Sequence, residues 1–93
     1  MENQRKIHID IALICYNEEK YIQEAVDGIL LQELDDNWVV RLLVADDCST
    51  DGTLEIIKQN EERIPFTIKY LRANHNLGMT QNYRRVFESC EGD

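Results

Sequence analysis

Acidic and small hydroxyl residues gather at one point of the sequence. The pair Asp46-Asp47 follows an apolar run and precedes residues 49–52, Ser-Thr-Asp-Gly. Paired carboxylates beside hydroxyl groups can hydrogen-bond a ribose or the edge of a base. The same residue types also form turns and helix caps. Taken alone, this segment is therefore equally consistent with a ligand site and with a structural turn.

Two further segments carry residues suited to binding a ligand. Tyr16 and Glu18 follow the first apolar run of the chain, and Asn76, Gly78 and Asn82 follow the third. A tyrosine ring offers a flat apolar face, and asparagine offers both donors and acceptors. These segments matter together only if the fold brings them to one place.

The hydrophobic pattern predicts the elements that would position these segments. Strands are expected where apolar residues alternate or run continuously, and helices where they recur at spacings of three and four. The predicted strands cover residues 7–15, 38–45 and 66–71. The predicted helices cover residues 18–33 and 54–63 and a third segment from Met79, whose apolar face is expected to carry Met79, Tyr83, Val86, Phe87 and Cys90.

The order β-α-β-α-β-α predicts an α/β fold with a Rossmann-like parallel sheet, because parallel strands are joined through right-handed helical crossovers. In such sheets ligands bind at the carboxyl ends of the strands. All three segments follow strand ends. The fold therefore predicts one shared site. For Arg84 and Arg85 it favours the solvated face of the third helix over contact with an anionic ligand.

Composition excludes several classes of function. The 93 residues carry a formal net charge of −8, which disfavours nucleic acid as a partner. Three cysteines, Cys15, Cys48 and Cys90, are odd in number and widely spaced, which disfavours a disulfide framework and a zinc knuckle. No apolar run is long enough for a membrane span, and the first residues lack a secretory signal, so a cytoplasmic location is expected.

The usual nucleotide motifs are also missing from the sequence. The first turn, residues 15–20, reads Cys-Tyr-Asn-Glu-Glu-Lys and contains neither the glycine pattern of a dinucleotide site nor that of a P-loop. A phosphoacceptor receiver domain would need its acidic pair after strand one, where this chain has Cys15-Tyr16-Asn17. Hydride transfer, P-loop hydrolysis and phosphoacceptor chemistry are therefore disfavoured.

The three segments, taken in order and spacing, resemble the beginning of a family 2 glycosyltransferase over almost the whole chain from Ile7. The resemblance implies a partial GT-A fold that binds a nucleotide-diphosphate sugar, most simply a UDP-sugar. It places Tyr16 against the uracil ring and Asp47 as acceptor for a base N–H. Asp46 is then a candidate for binding ribose or for ordering the loop, and Glu18 for ordering the loop or contacting the donor.

The resemblance also implies that the wall of the site near the ribose and diphosphate is formed by Asn76, Gly78 and Asn82. Two departures stand beside these matches. Ile14 occupies a position where the family often has proline, and Cys48 occupies one where it commonly has glycine.

The family's Asp-x-Asp metal motif would follow the next strand, and residues 91–93, Glu-Gly-Asp, are expected to be only the turn into that strand. Residues 1–93 are thus expected to be the N-terminal donor-nucleotide-binding half of a glycosyltransferase domain, truncated before the motif and inactive alone, with no catalytic or metal-binding residue. The complete enzyme would use Mg²⁺ or Mn²⁺ and a carbohydrate or lipid-linked acceptor.

A second interpretation belongs to another class. The chain could be a non-catalytic α/β module whose acidic loops serve protein association on a retained glycosyltransferase scaffold. Open strand edges also predict self-association of the fragment, since an unpaired edge is a template for another strand.

Overall fold

A computed structural model describes residues 6–73 and 75–90. Its core is a three-stranded parallel sheet in the order β1-β2-β3. The strands are β1 (Ile7–Cys15), β2 (Trp38–Asp46) and β3 (Thr67–Arg72). The helices are α1 (Ile22–Leu30), α2 (Thr53–Gln59) and α3 (Met79–Ser89), with a short 3-10 helix at Glu61–Arg63 after α2. The predicted α/β class and element order are confirmed.

Alternation along the strands builds two cores, one on each face of the sheet. On one face, buried residues of β1 and β2 pack with residues of α1 and α2: Leu13, Cys15, Leu42, Val44, Ile22, Val26 and Ile57. On the other face, Leu43 and Ala45 pack with Val86 of α3. Because β2 is covered on both faces, its last five residues are all buried, as in the centre of a parallel sheet.

The register aligns the carboxyl ends of the strands. Cys15 pairs with Asp46, and Asp46 pairs with Arg72. The loops that follow the three strands therefore start from one line at the same edge of the sheet. This is the edge at which the sequence predicts a shared site.

Helices α1 and α2 are shorter than the hydrophobic spacing predicts. Helix α1 begins only at Ile22, after a turn in which the Glu18 carbonyl accepts from the Tyr21 and Ile22 N–H groups at 2.8 Å. The Glu18 N–H donates to the Thr53 side chain at 2.8 Å and so ties this turn to the start of α2. In α2, the buried Asn60 side chain donates to the Ile56 carbonyl at 2.7 Å and to Gln23 at 3.0 Å. This competition for a helical carbonyl accounts for the end of α2 at Gln59.

The predicted apolar face of α3 is wrong in most positions. Val86 is buried, but Tyr83 and Phe87 are 47% and 77% exposed, and Cys90 is exposed as well. The Met79 side chain lies outside what the structure describes. The inward stripe consists instead of residues spaced by three and four, namely Asn82, Arg85, Val86 and Ser89. Polar contacts to β2, described below, turn this stripe toward the sheet.

None of the helices in residues 6–73 and 75–90 combines the length and hydropathy needed to cross a bilayer. The predicted turn at residues 91–93 lies outside the described residues.

Candidate functional site

A cavity of about 330 Å³ opens at the carboxyl edge of the sheet. Six of the seven predicted site residues line it, together with two residues at the end of β1. The lining residues are Ile14, Cys15, Tyr16, Glu18, Asp47, Asn76, Gly78 and Asn82. The three segments thus meet at one cavity, while their binding of a nucleotide stays a prediction.

Asp46 is the predicted site residue that does not line the cavity. Its side chain is buried and accepts hydrogen bonds from the Ser49 N–H at 3.0 Å and from the Ser49 hydroxyl. The Cys15 thiol also donates to it, at 3.8 Å. Of the two roles that the sequence left open for Asp46, these contacts match the ordering of the loop.

Asp47 ties the loop after β2 to the loop after β3. Its two carboxylate oxygens accept from the backbone N–H groups of Leu77 at 2.6 Å and Gly78 at 3.0 Å. Gly78 has φ +83° and ψ 161°, a conformation essentially restricted to glycine. The side chain of Asn76 accepts from the Gly78 N–H at 2.8 Å and stabilises the same turn.

Residues 16–19 and 49–53 form a set of hydrogen bonds that we call the loop clasp. Asn17, with φ +48°, donates its N–H to the Ser49 side chain at 2.9 Å and accepts from the Thr50 N–H at 2.8 Å. Glu19 donates to Asp51 at 3.2 Å and accepts from the Gly52 N–H. The clasp, completed by the Glu18–Thr53 contact described above, holds the loop that carries Tyr16, whose side chain remains exposed.

Cys48 follows Asp47 with φ +61°, in the left-handed region that favours glycine. Glycine at this position in the family that the chain resembles would adopt the same backbone without strain. The departure at Cys48 therefore leaves the turn intact.

Arg85 is a residue whose role the sequence analysis missed. Instead of facing water, its Nε donates to the Asn82 side chain at 2.6 Å, and its Nη2 donates to the Asp46 carbonyl at 2.6 Å. Asn82, which is buried, donates in turn to the Ala45 carbonyl at 3.1 Å. The spacing of three residues between Asn82 and Arg85 was the available signal, since residues i and i+3 share a helix face.

The buried thiol of Cys15 lies at the end of β1, beside the cavity. Burial, together with the nearby carboxylates of Asp46 and Glu18, raises the pKa of the Cys15 thiol to about 12. The thiolate is the reactive form of cysteine, so Cys15 is unreactive near neutral pH. Cys90, in contrast, is exposed.

We therefore expect iodoacetamide at pH 7.5 to label Cys90 readily and to leave Cys15 unlabelled in the folded protein. Because the pKa of Cys15 rises from 9.0 to about 12, its thiolate fraction falls about a thousandfold. Exclusion of the reagent slows the reaction further. Peptide mass spectrometry after timed quenching measures each site. Both residues should label fully in urea, and equal labelling rates in the native protein would contradict the buried, protonated state of Cys15.

The described residues do not fit a divalent cation. In residues 6–73 and 75–90 there is no group of three or more His, Cys, Asp or Glu side chains arranged to hold a metal ion. Asp46 and Asp47 use their oxygens for hydrogen bonds within the protein.

Comparison with known proteins adds independent information. The family model for glycosyl transferase family 2 matches residues 10–93. Curated relatives include TuaG of Bacillus subtilis, which is named a putative teichuronic acid biosynthesis glycosyltransferase. It is 35% identical over 90% of this chain and 32% of its own length. The abequosyltransferase RfbV of Salmonella typhimurium is 32% identical over 91% of this chain and 25% of its own.

An uncharacterized protein of Mycobacterium tuberculosis is 34% identical over 91% of this chain and 24% of its own length. The chain thus spans between a quarter and a third of these relatives. Among solved structures, a mannosyltransferase from Pyrobaculum calidifontis in complex with GDP-Man and Mn²⁺ superposes with a TM-score of 0.75 at 23% identity, covering 95% of this chain and 25% of that one.

That structural likeness confirms a partial GT-A fold, and the family model covers nearly the whole chain. The chain therefore belongs to glycosyl transferase family 2.

Proposed function

We propose that this chain is the donor-nucleotide-binding half of a glycosyltransferase domain and that its cavity takes the nucleoside of a UDP-sugar. The observation that carries the proposal is the convergence of six predicted residues, from three separate segments, on one cavity. Membership in a sugar-transferring family supports the reaction class, in which a sugar passes from a nucleotide donor to the hydroxyl of a carbohydrate or lipid-linked acceptor.

The contacts around the cavity suggest how a base would bind. The exposed Tyr16 ring offers a face for stacking. Asp47 already accepts one backbone hydrogen bond on each oxygen, and a carboxylate oxygen can accept two. A base N–H can therefore add to Asp47 without breaking the turn at Gly78, and the Asn82 amide lies at the same wall.

The charge of the cavity makes the proposal specific for the nucleoside. Its eight lining residues include two acids, Glu18 and Asp47, and neither lysine nor arginine. A diphosphate gains no opposite charge there, and like charges repel. In the complete enzyme, Mg²⁺ or Mn²⁺ held by residues outside this chain would offset the charge of the diphosphate. What this chain contributes is binding and orientation of the nucleoside, in a protein that we place in the cytoplasm.

Amide chemical shifts test the proposal in the absence of metal. We expect uridine, UMP and UDP at millimolar concentration to shift the amide resonances of Tyr16, Asp47 and Gly78, with UDP binding no more tightly than uridine. Guanosine is the matched control, since the solved neighbour is a complex with GDP-Man. Tighter binding of guanosine would overturn the uridine assignment. Silence of these resonances toward every nucleoside, in a chain shown to be folded, would overturn the nucleotide site and favour the protein-association module.

A further inference from the structure

We infer that Arg85 is a positioning residue for nucleoside binding and that it acts through Asn82 and the end of β2 rather than by contacting phosphate. This inference rests on the proposed function of the cavity. Arg85 does not line the cavity. Asn82, which Arg85 contacts, does line it, and so does Asp47, which follows the contacted Asp46 carbonyl. Two of the Arg85 N–H donors, on Nε and Nη2, each lie 2.6 Å from an acceptor within the protein.

The first contact fixes the Asn82 amide. Because Arg85 Nε donates to Asn82 Oδ1, the oxygen end of the amide is directed to the guanidinium and the nitrogen end donates to the Ala45 carbonyl. The Asn82 side-chain nitrogen carries two hydrogens, so one remains for a ligand. Without Arg85 the Oδ1 atom of this buried residue would lose its partner, and the amide could rotate to present its oxygen elsewhere.

The second contact holds the backbone from which Asp47 projects. Arg85 Nη2 donates to the Asp46 carbonyl, which otherwise accepts only a long hydrogen bond of 3.4 Å from the Ala73 N–H among the described residues. That carbonyl belongs to the peptide unit that joins Asp46 to Asp47. One planar guanidinium thus fixes two groups at once, a geometry that a lysine ammonium does not reproduce.

Three variants separate this role from simple attraction of phosphate. Arg85→Met removes the donors and keeps the aliphatic stem, Arg85→Lys keeps the charge without the fork, and Arg84→Met removes the same charge from the exposed neighbour. We expect Arg85→Met to weaken uridine and UDP binding by the same factor of about five to ten. Arg85→Lys should recover little of this loss, and Arg84→Met should bind as the parent chain does.

A ligand-free measurement keeps the test independent of the nucleotide assignment. Arg85→Met should shift the Asn82 side-chain resonances and the Asp47 amide in the free protein, and Arg84→Met should not. A loss of UDP binding alone, or full rescue by Arg85→Lys, would show that Arg85 acts on phosphate by charge and would overturn the inference. Unchanged Asn82 and Asp47 resonances in Arg85→Met and Arg85→Lys would overturn it as well, even if no nucleoside binds the parent chain.

Discussion

Replacing Asp47 with alanine is expected to abolish measurable uridine binding and to lower the free energy of unfolding by about 1–3 kcal/mol. The carboxylate of this buried residue accepts both backbone N–H groups of the turn at Leu77 and Gly78. Alanine leaves the Leu77 N–H without this acceptor and leaves the Gly78 N–H with only the Asn76 side chain. It also removes the proposed partner of the base N–H. Both effects arise from one side chain, so we expect them together.

Urea unfolding followed by circular dichroism gives the stability change, and the uridine titration gives the binding change. Asp36→Ala is the matched control, because it removes the same charge from an exposed residue before β2. We expect this control to change neither quantity. If Asp47→Ala bound uridine with the affinity of the parent chain, the assignment of Asp47 to the base would be wrong.

Replacing Gly78 with alanine is expected to cost about 1–3 kcal/mol of stability through backbone strain. A Cβ at this position would meet no atom within 4 Å, so steric overlap contributes nothing. The cost comes from the backbone conformation at φ +83°, which an L side chain rarely adopts. Relaxation of the turn should also move the Gly78 N–H from Asp47 and weaken uridine binding.

At Gly28 the same change from glycine to alanine is expected to raise the stability of the protein. Gly28 lies within α1, and its added Cβ would also meet no atom within 4 Å. Alanine in a helix loses less backbone entropy on folding than glycine, so we expect a gain of about 0.5–1 kcal/mol. The urea midpoints of Gly78→Ala and Gly28→Ala measure the two stability changes. A Gly78→Ala midpoint equal to or above that of the parent chain would exclude strain at this turn.

The sequence was sufficient to predict the sheet and the place of the cavity. Alternation and continuous apolar runs specify strands such as Ile7–Cys15, and crossovers make the strands parallel. Once the strands are parallel, their carboxyl ends must share an edge. Tyr16, Asp47 and Gly78 therefore meet although the sequence separates Tyr16 from Gly78 by 62 positions.

The details that sequence reasoning missed involve specific hydrogen bonds of polar side chains. The end of α2 depends on the bond from the Asn60 side chain to the Ile56 carbonyl, and Asn60 also contacts the distant Gln23. The inward face of α3 depends on the contacts of Asn82 and Arg85 with β2. Hydrophobic periodicity reports only local apolar spacing, so it assigned Phe87 to the core and Arg85 to water.

The loop clasp has a consequence for the energetics of ligand capture. A loop that becomes ordered only when a ligand arrives loses conformational entropy at that moment, and the observed affinity is reduced accordingly. Here the backbone that follows Tyr16 and the carboxylate of Asp47 are already hydrogen-bonded before any ligand enters. Folding bears the entropic cost of ordering these loops, so the cavity is preorganised and association requires little rearrangement.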